Sequence, residues 1–258
     1  MFGSKKRRKL LEAISANDLD EVSRLISEGI NLNVLIKGNP PLVWAIESKE
    51  ESMIKLLLEK GADVNMKGRG GCAGIVWAIN SGSLSIAEFL LSKGADLNKK
   101  DFGGLAPIHY AMQVGNTAIT ELLLNNGADP NTKDSDGYTP IFFAIAEGNT
   151  DLVKLLISKG ADIHIRSPIQ GTLLHHAVAD NNADIAELLI SAGVDVNAQN
   201  EKGNTVLHFA VKGNFESLAE MLIRKGADYN LANSFGVTPL DAALLINSPL
   251  AKKMGVDE

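Results

Sequence analysis

Gly127-Ala128-Asp129-Pro130-Asn131, followed shortly by Gly137-Tyr138-Thr139-Pro140-Ile141-Phe142-Phe143-Ala144, is the stretch on which the reading of this chain turns. The first motif recurs as Gly-Ala-Asp-x-Asn at Gly61 to Asn65, Gly94 to Asn98 and Gly226 to Asn230. Variants at Gly29 to Asn33, Gly160 to His164 and Gly193 to Asn197 complete a series whose glycines lie 32 residues apart once and 33 apart five times. A fixed period of that length marks stacked repeats. The second motif keeps step, as Gly104-Leu105-Ala106-Pro107-Ile108-His109-Tyr110-Ala111 and Gly203-Asn204-Thr205-Val206-Leu207-His208-Phe209-Ala210.

The residue types give each period a shape. Thr139-Pro140 and Thr238-Pro239 place a capping hydroxyl ahead of a proline at the first helical position, where its missing N–H costs nothing. A second apolar run, such as Leu152 to Ile157, predicts a second helix, ended by a glycine able to turn left-handed. Asp129 and Asn131 suit the turn beyond it. Such a unit cannot bury its own apolar face, so neighbours must supply the core.

The period and the Gly-x-Thr-Pro-Leu-His-x-Ala pattern together resemble the ankyrin repeat over about residues 10 to 250. The resemblance implies an all-α solenoid of helix-turn-helix units with hairpin fingers, its first helices lining a concave groove. In that frame residues 1–258 form one domain: an N-terminal capping repeat over 1–33, six full repeats over 34–231 and a truncated C-terminal cap over 232–258. Two fingers depart from the pattern. Gly68-Arg69-Gly70-Gly71-Cys72-Ala73-Gly74 lacks Thr-Pro and is expected to be looser, and Ser167 to His175 carries its glycine displaced by one, which puts its turn geometry in doubt.

Composition excludes several classes. With 45% hydrophobic and 22% charged residues the chain is not disordered, and its longest apolar run, Ile141 to Ala146, is far short of a membrane span. No secretory signal opens it, and the single Cys72 and the absence of an Asn-x-Ser/Thr sequon fit a reducing, cytoplasmic setting. The net charge of −6 argues against a general nucleic-acid binder. Residues 1–100 hold 15 basic and 12 acidic side chains against 10 and 19 in the remainder, so a partner would meet two electrostatically different ends.

Candidate chemistry is sparse, and no enzyme, cofactor or metal is expected. Gly68, Gly70 and Ala73 formally fit a dinucleotide fingerprint but fall in a finger, without the required strand. His109, His175 and His208 share the motif slot in which, by the resemblance, the imidazole bonds neighbouring backbone. His176 adjoins His175, and consecutive helical residues do not share a face. Lys5-Lys6-Arg7-Arg8-Lys9 reads as a solvated extension of the first helix; the alternatives are a nuclear-import signal or an adaptor to anionic lipid or nucleic acid.

The side chains that vary at fixed slots mark the expected partner site. One slot before the first-helix alanines holds Trp44, Trp77, Tyr110, Phe143, His176 and Phe209, with Ala242 closing the series. These rings either pack between repeats or form a ladder along the groove. Phe102, Leu105, Tyr138 and Ile169 fall at expected finger tips, where no core is available. Lys67, Lys100, Lys133 and Arg166 recur every 33 residues, a row able to meet a partner's carboxylates. The expectation is a monomeric scaffold that binds another protein around repeats four to six. The ankyrin frame also hosts secreted bacterial effectors that bind host proteins, and the fold does not name the partner.

Overall fold

The computed structural model describes residues 2–167, 171–246 and 248–254. It divides into two compact units, residues 1–135 and 136–258. In the first, α1 (Phe2–Ser15) pairs with α2 (Leu19–Ser27), α3 (Pro41–Glu47) with α4 (Glu51–Glu59), α5 (Gly74–Asn80) with α6 (Leu84–Ser92), and α7 (Pro107–Val114) with α8 (Thr117–Asn125). In the second, α9 (Pro140–Ala146) pairs with α10 (Thr150–Ser158), α11 (Leu173–Ala179) with α12 (Ala183–Ser191), α13 (Val206–Lys212) with α14 (Glu216–Arg224), and α15 (Pro239–Leu245) with α16 (Leu250–Lys253). Within each unit the odd-numbered helices stack in a row, and even-numbered helices pack against one another behind it. The fold is all-α, one helix pair per sequence repeat.

First helices of seven or eight residues are too short to persist alone. Burial holds them. Leu42, Ile46, Ile75, Ile79, Ile108 and Met112 in the first unit, and Ile141, Ile145, Leu174, Val178, Leu207 and Val211 in the second, are essentially inaccessible. Each such side chain is worth about 1.5–3 kcal/mol. Second helices are started by side chains that the sequence reading passed over: Asp18, Ser83, Asn116, Asn149 and Asn182 each accept a hydrogen bond from the amide three residues on.

The Gly-Ala-Asp-x-Asn motif turns out to be a fastener as well as a turn. Asp63, Asp96, Asp129 and Asp228 each accept the N–H two residues ahead, at 2.8 or 2.9 Å. The asparagine then reaches the next repeat: Asn65 donates to the Gly94 carbonyl at 2.9 Å and accepts from the Asp96 amide at 2.8 Å. Asn33, Asn98 and Asn197 repeat that double link.

The threonine caps differ from expectation. Only Thr238 accepts from its helix, at the Asp241 amide. At Thr172 and Thr205 the imidazole does the capping, since His175 and His208 Nδ1 accept the threonine amide (3.3 and 3.0 Å) and hydroxyl (2.8 and 2.9 Å). Repeat five has Phe142 in that slot, and the buried Thr139 hydroxyl is left with no partner. A ring without nitrogen cannot answer it.

The Gly68–Gly74 finger, expected to be looser, is tied down by hydrogen bonds. Around the short 3-10 turn Arg69–Gly71, Gly68 N–H donates to the Cys72 carbonyl, Arg69 N–H to Asn39 Oδ1 and Phe102 N–H to the Gly70 carbonyl. Gly71 has φ +81°, and a Cβ there would stand 2.7 Å from the Phe102 ring, so the glycine admits the next finger. In the sixth repeat Arg166–Ser167 pairs antiparallel with Gly171–Thr172, which restores Thr172 to the cap position without a proline.

Candidate protein-binding surface

Phe102 is the outstanding finger residue of the first unit, 81% exposed, with the Lys67 ammonium 5.9 Å from its ring centre. Leu105, read as a tip, is half-buried, and its amide donates to Asp101 Oδ1. Tyr138 likewise turns inward, edge-on to Phe142 at 5.3 Å, with Phe142 edge-on to His176 at 5.2 Å. Its ring finds an aromatic neighbour, which a tip position does not reveal. Ile169 lies outside the described residues.

The aromatic slot is half-buried at Trp44, Trp77, Tyr110, Phe143, His176 and Phe209 alike. These rings therefore pack between helices with one face and present the other. Their polar atoms are treated differently. Trp44 Nε1 donates to the Ile36 carbonyl at 2.9 Å, whereas Trp77 Nε1 and His176 Nε2 are buried without a partner. Tyr110 O–H donates to Asp101 in a short bond and touches Cys72 Sγ at 3.4 Å. Burial and that carboxylate push the phenol far up, and burial raises the Cys72 thiol, so neither is an activated nucleophile at neutral pH.

The basic row is a structural ladder. Lys67 Nζ donates to the Lys100 carbonyl and Lys100 Nζ to the Lys133 carbonyl, both at 2.6 Å, and Arg166 donates to the Gln199 carbonyl at 2.9 Å. Gln199 continues the slot by donating to the Ala232 carbonyl. The 33-residue spacing thus reflects donors reaching one repeat ahead. It ties fingers in register and leaves less free charge for a partner than the row implies.

The N-terminal basic run is helical within α1. Lys6 pairs with Glu28, Arg8 with Glu12 and Lys9 with Glu21. Three of its five charges are met by carboxylates of the first repeat itself. His175 and His208 donate from Nε2 to the Asn204 and Val237 carbonyls, both 2.9 Å away, while Nδ1 accepts. That requires the neutral ring, and burial lowers the affinity of both for a proton. The motif-slot histidines are structural. No group of three or more metal-ligating side chains occurs among the described residues, and none of their helices is long and apolar enough to cross a membrane.

Sequence reasoning missed the exposed apolar side chains of the last repeat. Phe235 is 76% exposed on its finger, and Leu244, Leu245 and Ile246 are 45%, 84% and 50% exposed at the end of α15. The same rule that singled out Phe102 would have found Phe235 beside Gly236.

A family model described as ankyrin repeats matches in three copies, over residues 5–68, 75–167 and 171–252. A human mitochondrial disaggregase is 42% identical over 64 residues, and its bovine counterpart 41% over the same length. Those stretches cover 24% of this chain but only 9% and 10% of the two relatives. The shared part is a small fraction of those proteins.

Proposed function

The chain belongs to the ankyrin repeat family, and from that premise we propose that it works by binding a protein partner as a monomer, with no chemistry of its own. The observation that carries this reading is Phe102: a large ring held almost wholly in solvent by a finger fastened on both sides. The backbone beneath that ring is already fastened in the free protein, so a partner covering it gains apolar burial without first ordering the finger. Around it we place Trp77, Leu105 and Tyr110, with Lys100 and Lys133 at the edge. In the second unit Tyr138, Phe143, His176 and Arg166 are the corresponding candidates, and Ile169 stays with them as a sequence-level expectation.

Phe102→Ala tests this directly. The substitution leaves thermal unfolding unchanged and removes a defined subset of the proteins that the wild-type chain captures from lysate. An unchanged captured set at equal stability overturns the assignment. Sedimentation of the free chain as a dimer or larger would overturn the monomer.

A further inference from the structure

From the second repeat onward the aromatic slot is empty of a ring once, at Ala242. At that point the second unit opens a cavity of about 560 Å³ beside Phe209, walled by Ala242, Val237, Leu245 and Ile246. Three of these walls are exposed well beyond what an interior face shows: Leu245 at 84%, Ile246 at 50% and Val237 at 36%. Large apolar side chains gathered around a concavity that none of the described side chains fills are the form of a receiving pocket.

The rim says what kind of occupant fits. This unit is acidic, with 15 acidic against 9 basic residues over 136–258. Its other basic side chains are engaged: Lys154 with Asp151, Lys225 with Glu187, Arg224 and Lys253 with Glu220, and Arg166 with a carbonyl. Lys159 and Lys252 also have partners. Among the described residues of this unit, Lys202 and Lys212, which line the cavity, are the two basic side chains with no side-chain partner. Glu201 shares the lining and leaves it positive by one. Unpaired cations beside an apolar cavity in an acidic unit favour an occupant that brings its own carboxylate.

We propose that the cavity between α13 and α15 receives a segment of a partner protein that inserts one bulky apolar side chain, aromatic by preference, where Ala242 leaves the slot open, and sets an adjacent aspartate or glutamate against Lys202 and Lys212. The inserted ring takes the place that the preceding repeats fill for themselves and stacks against Phe209. The proposal rests on the protein-binding reading above but on none of the finger side chains named there.

The test is selection of a displayed random-peptide library on the full chain, followed by anisotropy titration of the enriched peptides. Enrichment of peptides with an aromatic or large aliphatic residue beside an acidic one is expected. Ala242→Trp, which installs the side chain found at Trp44 and Trp77, weakens them by about tenfold or more. Leu245→Lys, at a site too exposed to disturb folding, does the same. Joint Lys202→Glu and Lys212→Glu costs about threefold to tenfold and removes the salt dependence, whereas Phe102→Ala changes nothing. Enrichment of basic peptides, affinities indifferent to both Ala242→Trp and Leu245→Lys, or no enrichment over the Ala242→Trp chain would overturn the proposal. Self-association abolished by Ala242→Trp would give the cavity to a second copy and overturn it too. Loss of peptide binding by Ala242→Trp alongside unchanged lysate capture by Phe102→Ala would separate this site from the finger reading.

Discussion

The first and last helix pairs solve the same problem in opposite ways. Each has one face against a neighbouring repeat and one face that no other repeat among the described residues covers. At the first pair Leu10 and Ile14 point inward with no exposure, while Lys6, Lys9, Arg24, Glu21 and Glu28 pair across the outer side. At the last pair Leu250 and Met254 are buried, yet Leu244, Leu245 and Ile246 face solvent. Leu244 occupies the slot of Met112, Ile145, Val178 and Val211, all of them buried in the preceding repeats. The first end is finished with charge and the last with hydrocarbon, so the exposed apolar surface of the second unit is concentrated where the repeat pattern stops.

Substitutions can break this contrast. Ile14→Ala opens a cavity in the first repeat and costs about 3 kcal/mol in urea denaturation, whereas Leu245→Ala leaves the midpoint within error. If the two cost alike, Leu245 is packed and the contrast fails.

Acid sharpens the comparison. All five histidines lie beyond residue 108, and burial depresses proton affinity at His109, His175, His176 and His208. Folded, these rings stay neutral below their ordinary value of 6.5, while the unfolded chain protonates there. The stability they confer is complete above that value and is lost as the pH falls below it. Amide exchange compared at about pH 7.5 and 5.5, corrected for intrinsic rates, therefore loses protection in repeats four, six and seven while the first three repeats are unmoved by histidine titration. Uniform loss from residue 10 onward would contradict this.

Smaller effects divide the caps. Thr205→Val removes the hydroxyl bonded to His208 and costs about 1 kcal/mol, but Thr139→Val, at the hydroxyl facing no acceptor, is neutral or stabilising by a similar amount. Denaturation of the two variants side by side decides it. The least effect is expected at the outer charges: Lys9→Ala leaves the unfolding midpoint unchanged at physiological salt, because an exposed pair gains little over water.

The architecture was legible because its determinants recur in fixed slots: a glycine after second helices, an aspartate and asparagine in most turns, a proline or threonine before most first helices. The site was far less so. Whether a finger side chain stands in solvent depends on a residue one repeat away, as Phe102 and Gly71 show, and Tyr138 turns in because Phe142 is there to meet it. The lysine row shows the same limit. Its spacing was visible, but a carbonyl acceptor has no letter in the sequence.

His164 stands where the other repeats carry asparagine, and among the described residues its side chain has neither of the two bonds that Asn65 or Asn197 sends forward. The amide of Asp195, the counterpart of those at Asp96 and Asp228, is left without its side-chain acceptor. The joint between the fifth and sixth repeats therefore lacks the double link that Asn197 makes between the sixth and seventh, and His164→Asn is expected to restore it and slow amide exchange at Asp195.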